Sequence, residues 1–528
     1  MTADPLSFFT IDHGTASTAV SLIAPFGGRF RLLAASAAPR GVAVDALLED
    51  LVARVRAVEP DALPVADDWR SWARLEVATA APPSIVIVAA TEALADDLDR
   101  SFSAAGWEVA ATFEGARADP LAITAACLDR NVLAIVLGAT EPAASGERTA
   151  IGELAAVVAA AACRRAGLHT ILSGGARIFA DDFPEAQTLL APPPDHTHSG
   201  TGSLLVEMAA ESASRWTAVE GRPIPDGRRA FAMGVASLSA LLDRPVDGLD
   251  VGHSASSRVV ATPNGAFEQI VDAEAALVPR GAMKDDSAAD AILRWCAFRS
   301  EPFGLRDRLR NLRLAPWRDA SGDGARLRMA ALRASLASLA VGGPPPSGLI
   351  ACSGGVFGAV PPPVAALAVL DAFRRPGVLS LLWDHARLLA PIGTLTAEAD
   401  RRRLLSELLD DGFIPMASAV VVADLHTGRH PATLHLTSAV GTTDATLEPG
   451  NLRTMDLPPG VTARAEFVAR DPMWLGVRGR HVLLDVSGGL GGLLLDTREV
   501  PLRWPERPER RRAVLEGWER PLWAAAET

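Results

Sequence analysis

The sequence predicts an α/β protein built from two related halves, with an inserted α/β segment and a small C-terminal β-rich module. Three observations predict it. A unit of strand, Asp-x-Gly loop, strand, turn and strand occurs twice, around Asp12-His13-Gly14 and around Asp250-Val251-Gly252. Between the two, from Ser84 to Gly175, strand-length apolar runs alternate with helical segments, which argues for a parallel sheet with covered faces. From Ile414 onward the chain is rich in short strands. Its 528 residues exceed the roughly 250–300 that one core sustains. The expected divisions are 1–80 for part of the first half, 81–200 for the βα segment, 201–412 for the second half and 413–528 for the β-rich module with a terminal helix.

The elements follow in order. A strand over Leu6–Ile11 is expected to end on Asp12-His13-Gly14-Thr15-Ala16-Ser17-Thr18, with further strands over Thr18–Ala24 and Phe30–Ala35 around a Gly27-Gly28 turn. Val44–Val58 reads as an amphipathic helix. In the βα segment, Ile85–Ala89, Val109–Phe113, Val132–Leu137 and Thr170–Leu172 are expected strands. Small residues close two of them, Gly138-Ala139-Thr140 and Ser173-Gly174-Gly175, and ligands of such sheets sit at the carboxyl ends of strands. Pro192-Pro193-Pro194 through Gly202 reads as a loop and seam. The second Asp-x-Gly loop, Asp250 to Ser257, is followed by strands over Arg258–Thr262 and Phe267–Val271. A helical stretch precedes the strand Leu349–Ala351, which ends in Cys352-Ser353-Gly354-Gly355. Trp504 to Trp523 reads as a docked helix with a basic solvated face.

Composition excludes several classes. Hydrophobic residues at 49% and charged residues at 22% describe a globular chain. A net charge of −12 gains nothing from a polyanionic backbone, so no nucleic-acid partner is expected. The four cysteines form no C-x-x-C pair, which leaves neither a zinc site nor a disulfide framework. No basic region precedes an apolar stretch at the N-terminus, and no apolar run approaches the roughly 20 residues that span a bilayer. A soluble, cytoplasmic protein without membrane contact is expected.

The Asp-x-Gly loops carry the candidate chemistry. Glycine lets the backbone approach a phosphate, while the amides and hydroxyls that follow donate to its oxygens. An Asp at a strand end can hold Mg²⁺ through water. The candidate catalytic and metal-holding residues are therefore Asp12 and Asp250, with Gly14, Thr15, Ser17, Gly252, Ser254 and Ser256 as phosphate-binding positions. Ser353, Gly354 and Gly355 form a third loop suited to packing against a nucleoside. Any one such loop is also a common turn, and it is the recurrence that distinguishes them. Neither a P-loop nor a dinucleotide-binding glycine motif is present.

These residues resemble the glutamate-mutase-associated MutL-type family, unrelated to the mismatch-repair protein of the same name. It belongs with actin and acetate kinase in the ASKHA superfamily. The likeness runs nearly end to end, through both Asp-x-Gly loops, Ser353-Gly354-Gly355-Val356-Phe357, Arg375-Pro376-Gly377-Val378 with Asp384 and Leu388, and Gly488-Gly489 through Asp496-Thr497-Arg498. It implies duplicated actin/hexokinase-like (ribonuclease H-like) domains, ATP/ADP and Mg²⁺ as ligands, and an accessory or reactivating role toward a cobalamin-dependent mutase subunit. The chain departs from that pattern at Ala19, where the family places a Lys, and at His253-Ser254-Ala255-Ser256-Ser257, where it has a second glycine and a second carboxylate. Losing a cation that neutralises developing phosphate charge slows hydrolysis more than it weakens binding. A catalytically degenerate scaffold is thus the second reading, and a small-molecule kinase of the same fold the third.

Other clusters read as structural. Asp195-His196-Thr197-His198 lacks a third ligand and reads as a solvated turn rather than a metal site. His13 and His253 are expected at equivalent positions of the two loops. Asp181-Asp182 and Asp410-Asp411 are expected to cap helix ends.

Overall fold

The computed structural model describes residues 7–63, 68–79, 82–115, 118–165, 167–194, 203–214, 224–272, 275–279, 287–317, 321–341, 343–425 and 430–525. The Asp195–His198 cluster lies outside them. The chain opens with β1 (Phe8–His13), β2 (Ser17–Phe26) and β3 (Arg29–Pro39), joined to β4 (Ala73–Ala78) in a sheet of order β3-β2-β1-β4. Gly27 and Gly28 close the β2–β3 hairpin with φ of +63° and +84°, the two-residue turn whose twist matches paired strands. The Val44–Val58 helix covers one face through Leu48, Leu51, Val52 and Val55, spaced at the period of a helical stripe.

The chain then enters β5 (Ser84–Ala89), β6 (Glu108–Glu114), β7 (Val132–Ala139), β8 (His169–Gly174) and β9 (Thr188–Ala191). They form an all-parallel sheet of order β6-β5-β7-β8-β9. All six residues of β5 are buried, as expected of a strand covered on both faces. The expected strand-and-helix alternation is present throughout this segment.

The remaining strands are β10 (Val246–Val251), β11 (Ser256–Ala261), β12 (Phe267–Asp272), β13 (Leu349–Ser353), β14 (Gly377–Asp384) and β15 (Phe413–Val421). After them come β16 (Ala432–Ser438), β17 (Gly441–Leu447), β18 (Leu452–Met455), β19 (Thr462–Trp474), β20 (Arg478–Ser487) and β21 (Leu493–Asp496). An eight-stranded sheet has the order β12-β11-β10-β13-β14-β15-β21-β18, and a four-stranded one β17-β16-β19-β20. Both this large sheet and the first sheet begin with an antiparallel three-strand meander whose leading strand pairs in parallel with a later strand, β4 or β13.

The C-terminal strands divide differently from the expectation of one β-rich module. β15 and β21 are apolar and mostly buried, and they extend the large sheet beside β14. β16 alternates buried and half-buried residues, the pattern of a sheet covered on one face only. The separate sheet is therefore limited to β16, β17, β19 and β20.

The Gly-rich stretch before Asp496 and Arg498 is structural. Gly489 and Gly491 lie against the backbones of Ala417 and Pro363, where a Cβ has no room. Arg498 donates to Asp496 at 2.8 and 2.9 Å and to Asp371 at 2.7 Å, and Arg374 donates to Asp496 at 2.5 Å. Arg333 stands 2.7 Å from Asp371 and also pairs with Glu519 on the C-terminal helix. Three guanidinium groups and three carboxylates are thus buried together. Burial alone would raise the Asp496 carboxyl, but Arg498 and Arg374 outweigh it and hold it below the usual range. Asp410 and Asp411 also differ from expectation: instead of capping their helix they pair with Arg29 and Arg31 of β3. Among the described residues no helix is long and apolar enough to cross a membrane, and all four cysteines are free thiols.

Candidate functional site

β1 and β10 each run out on an Asp-x-Gly turn of the same construction. The Gly14 amide donates to the Ser17 carbonyl at 2.8 Å, and the Gly252 amide donates to the Ala255 carbonyl at 3.1 Å. A Cβ on Gly14 would lie 2.9 Å from the Ser17 oxygen, and one on Gly252 would lie 2.5 Å from the Ala255 oxygen. Glycine is therefore needed in both turns for space rather than for an unusual φ. Asp12 faces Ala19 across its hairpin, and Asp250 faces Ser257.

Superposing the turns on these bonds corrects the pairing expected for the histidines. His13 matches Val251, and His253 matches Thr15. His13 points away to Glu76 on β4, with Nε2 and Oε1 2.7 Å apart. His253 lines the cavity between the loops, and its buried Nε2 has no hydrogen-bond partner among the described residues. Burial, helped by the charges of Arg313 and Arg328, pushes its pKa down to about 4, so the ring is neutral.

A cavity of about 520 Å³ lies between the two loops. Asp12, Gly14, Thr15, Ser17, Asp250, Gly252, Ser254, Gly354 and Gly355 all line it. Ser256 and Ser353 do not. The Ser256 hydroxyl is buried and donates to the Ala275 carbonyl at 2.5 Å, while the Ser353 hydroxyl donates to Asp384 at 3.3 Å. Each is a terminal strand residue, Ser256 the first of β11 and Ser353 the last of β13, and strand alternation turns its side chain away from the cavity. Gly354 has φ +103° and packs on the Val251 carbonyl, a conformation and a fit open to glycine alone. Its position brings the third loop over Asp250, whose Oδ1 would be 3.2 Å from a Cβ there.

The carboxylates are electrostatically poised. Burial raises Asp12, against the pull of Arg387 and His13. Burial, with the nearby Asp12 charge adding to it, raises Asp250 to about 6, although Arg387 and Arg228 oppose the shift. Beneath them Asp384 is pushed up to about 7 by burial, despite accepting the Leu388 and Leu389 amides at 2.7 and 3.1 Å. Two desolvated acids, with the Asp12 charge raising the Asp250 pKa, fit a divalent cation, which would relieve their repulsion. Among the described residues no three His, Cys, Asp or Glu side chains converge as a metal cage. Two carboxylates holding a hydrated Mg²⁺ is the arrangement the donor set suits.

Several lining residues escaped the sequence reading. Trp317, Trp383, Arg228, Arg328 and Arg387 all line the cavity. Arg387 Nη1 lies 3.0 Å from Ser17 Oγ and 3.7 Å from Asp12 Oδ2. Nothing local could have flagged it, since 370 positions separate it from Ser17 and the turn after β14 meets β2 only across sheets, where Ser21 donates to the Ala386 carbonyl.

No family model matches the chain, and no curated protein matches it in sequence. Among solved structures, the chain is similar to the (R)-2-hydroxyglutaryl-CoA dehydratase component A of Acidaminococcus fermentans, with 8% identity and a TM-score of 0.27 over 75% of this chain and 99% of that one. It is also similar to the activator of the 2-hydroxyisocaproyl-CoA dehydratase from Clostridium difficile with bound ADPNP, at 8% identity and a TM-score of 0.28 over 76% and 98%. A nucleotide-free acetone carboxylase gives 11% identity and a TM-score of 0.28 over 85% of this chain and 81% of that one. At TM-scores of 0.28 and 0.27 these likenesses are too loose to carry a site or an activity across.

Proposed function

We propose that this chain is an actin/hexokinase-like protein of duplicated design that binds ATP or ADP, with Mg²⁺, between its Asp12 and Asp250 loops. One observation supports the reading above the others. Two sheets with the same opening strand order deliver the same Asp-x-Gly turn, with the same closing hydrogen bond, to one cavity. In this reading Asp12 and Asp250 hold the hydrated cation, and the turn amides that follow Gly14 and Gly252, whose own amides close the turns, donate to phosphate oxygens. Gly354 and Gly355 give the nucleoside a flat backbone surface to pack on. Bound Mg²⁺ would supply positive charge against the phosphates. Calorimetric titration with ATP and ADP in millimolar Mg²⁺ tests the reading. Micromolar binding that disappears in Asp12→Ala/Asp250→Ala is expected, and no binding by the wild type would overturn it.

A second reading, binding without efficient turnover, is favoured by His253. Its ring fills the position that Thr15 has in the first loop, and it can offer no positive charge at neutral pH. A steady-state ATPase rate far above background that collapses in Asp12→Ala would exclude it. The role toward a cobalamin-dependent mutase is supported by the sequence resemblance alone. Nucleotide-dependent recovery of an inactivated mutase on adding this protein tests that role.

A further inference from the structure

We infer that Arg387 is the side chain that reads the phosphates of a nucleotide bound in the Asp12–Asp250 cavity. The inference rests on the nucleotide reading above. Its first support is position. A Cβ on Gly355 would lie 2.7 Å from Arg387 Nη2, and one on Gly14 would lie 3.9 Å from Nη1. The guanidinium therefore spans the gap between the first Asp-x-Gly loop and the Gly354-Gly355 loop, where the phosphate chain of a ligand bridging them must pass.

The second support is the way the side chain is held. Arg387 has φ +54°, a left-handed conformation uncommon for a side chain of this size. Its neighbours enforce it. The Arg387 amide donates to the Asp384 carbonyl at 3.2 Å, the Asp384 carboxylate takes the next two amides, and Ser21 donates to the Ala386 carbonyl at 3.3 Å. Backbone strain retained by a framework of this kind marks places where geometry is under functional constraint.

The third support is what the guanidinium has left to give. It carries five N–H donors in a planar fork that matches phosphate oxygens. It donates to Ser17 Oγ, and Asp12 stands at 3.7 Å, beyond a hydrogen bond. The other arginines of the cavity wall are engaged elsewhere. Arg228 stands 3.6 Å from Asp226, and Arg328 donates to the Pro316 carbonyl at 2.8 Å. Arg228 also acts on Asp250 through its charge, but among the described residues Arg387 is the cavity arginine within 4 Å of either acid, and it faces both loops.

The competing account is that Arg387 only neutralises Asp12 and Asp250. Titrations of adenosine, ADP and ATP into wild type, Arg387→Asn and Arg387→Lys separate the two. Asn removes the charge yet tolerates the left-handed backbone, and thermal melting of each variant confirms its fold. For Arg387→Asn, the Kd for ATP and ADP is expected to weaken about ten- to a hundredfold, the worth of a charged hydrogen bond, with adenosine unchanged. Arg387→Lys should regain part of the loss. Equal loss for all three ligands, or ATP bound by the Asn variant as tightly as by wild type, would overturn the role of Arg387. Absence of any nucleotide binding by the wild type would overturn the nucleotide reading and this inference together.

Discussion

Replacing Arg498 by Met should destabilise the protein by about 3–5 kcal/mol at neutral pH, the usual cost of removing one partner from a buried ion pair. The number follows from counting charge. Arg333, Arg374 and Arg498 face Asp371, Asp496 and Glu519, all with little or no exposure. Without Arg498 one buried carboxylate lacks a cation, and Asp496 loses the partner that most lowers its pKa. The sign of the pH dependence then changes. In the wild type the depressed Asp496 contributes stability above the unfolded carboxyl pKa of roughly 4, and that contribution is lost as pH falls through its lower folded value. In the variant three buried carboxylates share two guanidinium groups, so one of them is expected to take up a proton, and the variant should regain stability as pH falls from 7 toward 4. The Met side chain can lie under Trp518, whose ring is 4.5 Å from the Arg498 guanidinium, so the loss is mainly electrostatic. Arg498→Met with Asp371→Leu leaves Arg374 paired with Asp496 and Arg333 paired with Glu519, and should recover more than half of the loss. Urea unfolding followed by tryptophan fluorescence at pH 7 and pH 5 measures all of this. A single variant within about 1 kcal/mol of wild type, or a double variant less stable than the single, would refute the argument.

Three further outcomes are expected. Asp250 is raised to about 6, so its burial costs stability that is absent below roughly pH 4 and grows as pH rises to about 6; Asp250→Asn should remove that slope from the melting temperature between pH 4 and 6. Gly354→Ala should cost about 1–3 kcal/mol, because φ +103° and the Val251 carbonyl leave no place for a methyl group; chemical denaturation reads the loss, and a neutral result would mean that the loop can rearrange. A maleimide should label Cys163 rapidly in the folded protein and Cys127, Cys296 and Cys352 only after unfolding, since Cys163 alone is exposed; mass spectrometry of timed labelling checks the order.

What could be read from the chain was local. The Asp-x-Gly turns, the Gly27-Gly28 hairpin and the strand–helix alternation from Ser84 are set by neighbouring residues, and the structure carries each of them. Errors arose where a single residue of register mattered. Pairing His13 with His253 counted positions without the Gly14 and Gly252 bonds that fix the alignment. The sequence places Ser256 and Ser353 in loops, yet each is a strand residue whose hydroxyl is turned to a neighbour. The C-terminal strands are a different case. Phe413–Val421 and Leu493–Asp496 resemble any other short apolar strands until the pairing partner is known, and here the partner is the large sheet.

The charge balance of the cavity shows why motif reading reached the acids before the cation. A carboxylate at a strand end is identified by the glycine two residues later, so Asp12 and Asp250 announce themselves. A cation need only bring its head group to the same point, and any strand end on the same edge of the sheet can supply it. β14 lies next to β13, which lies next to β10, so the turn after Asp384 opens on the cavity already shared by Asp12 and Asp250. Ala19 in the first hairpin therefore does not leave the site without positive charge, because Arg387 brings it from the other half of the chain. The eroded look of the loops is a property of their sequence, whereas the electrostatics of the cavity depend on the strand order.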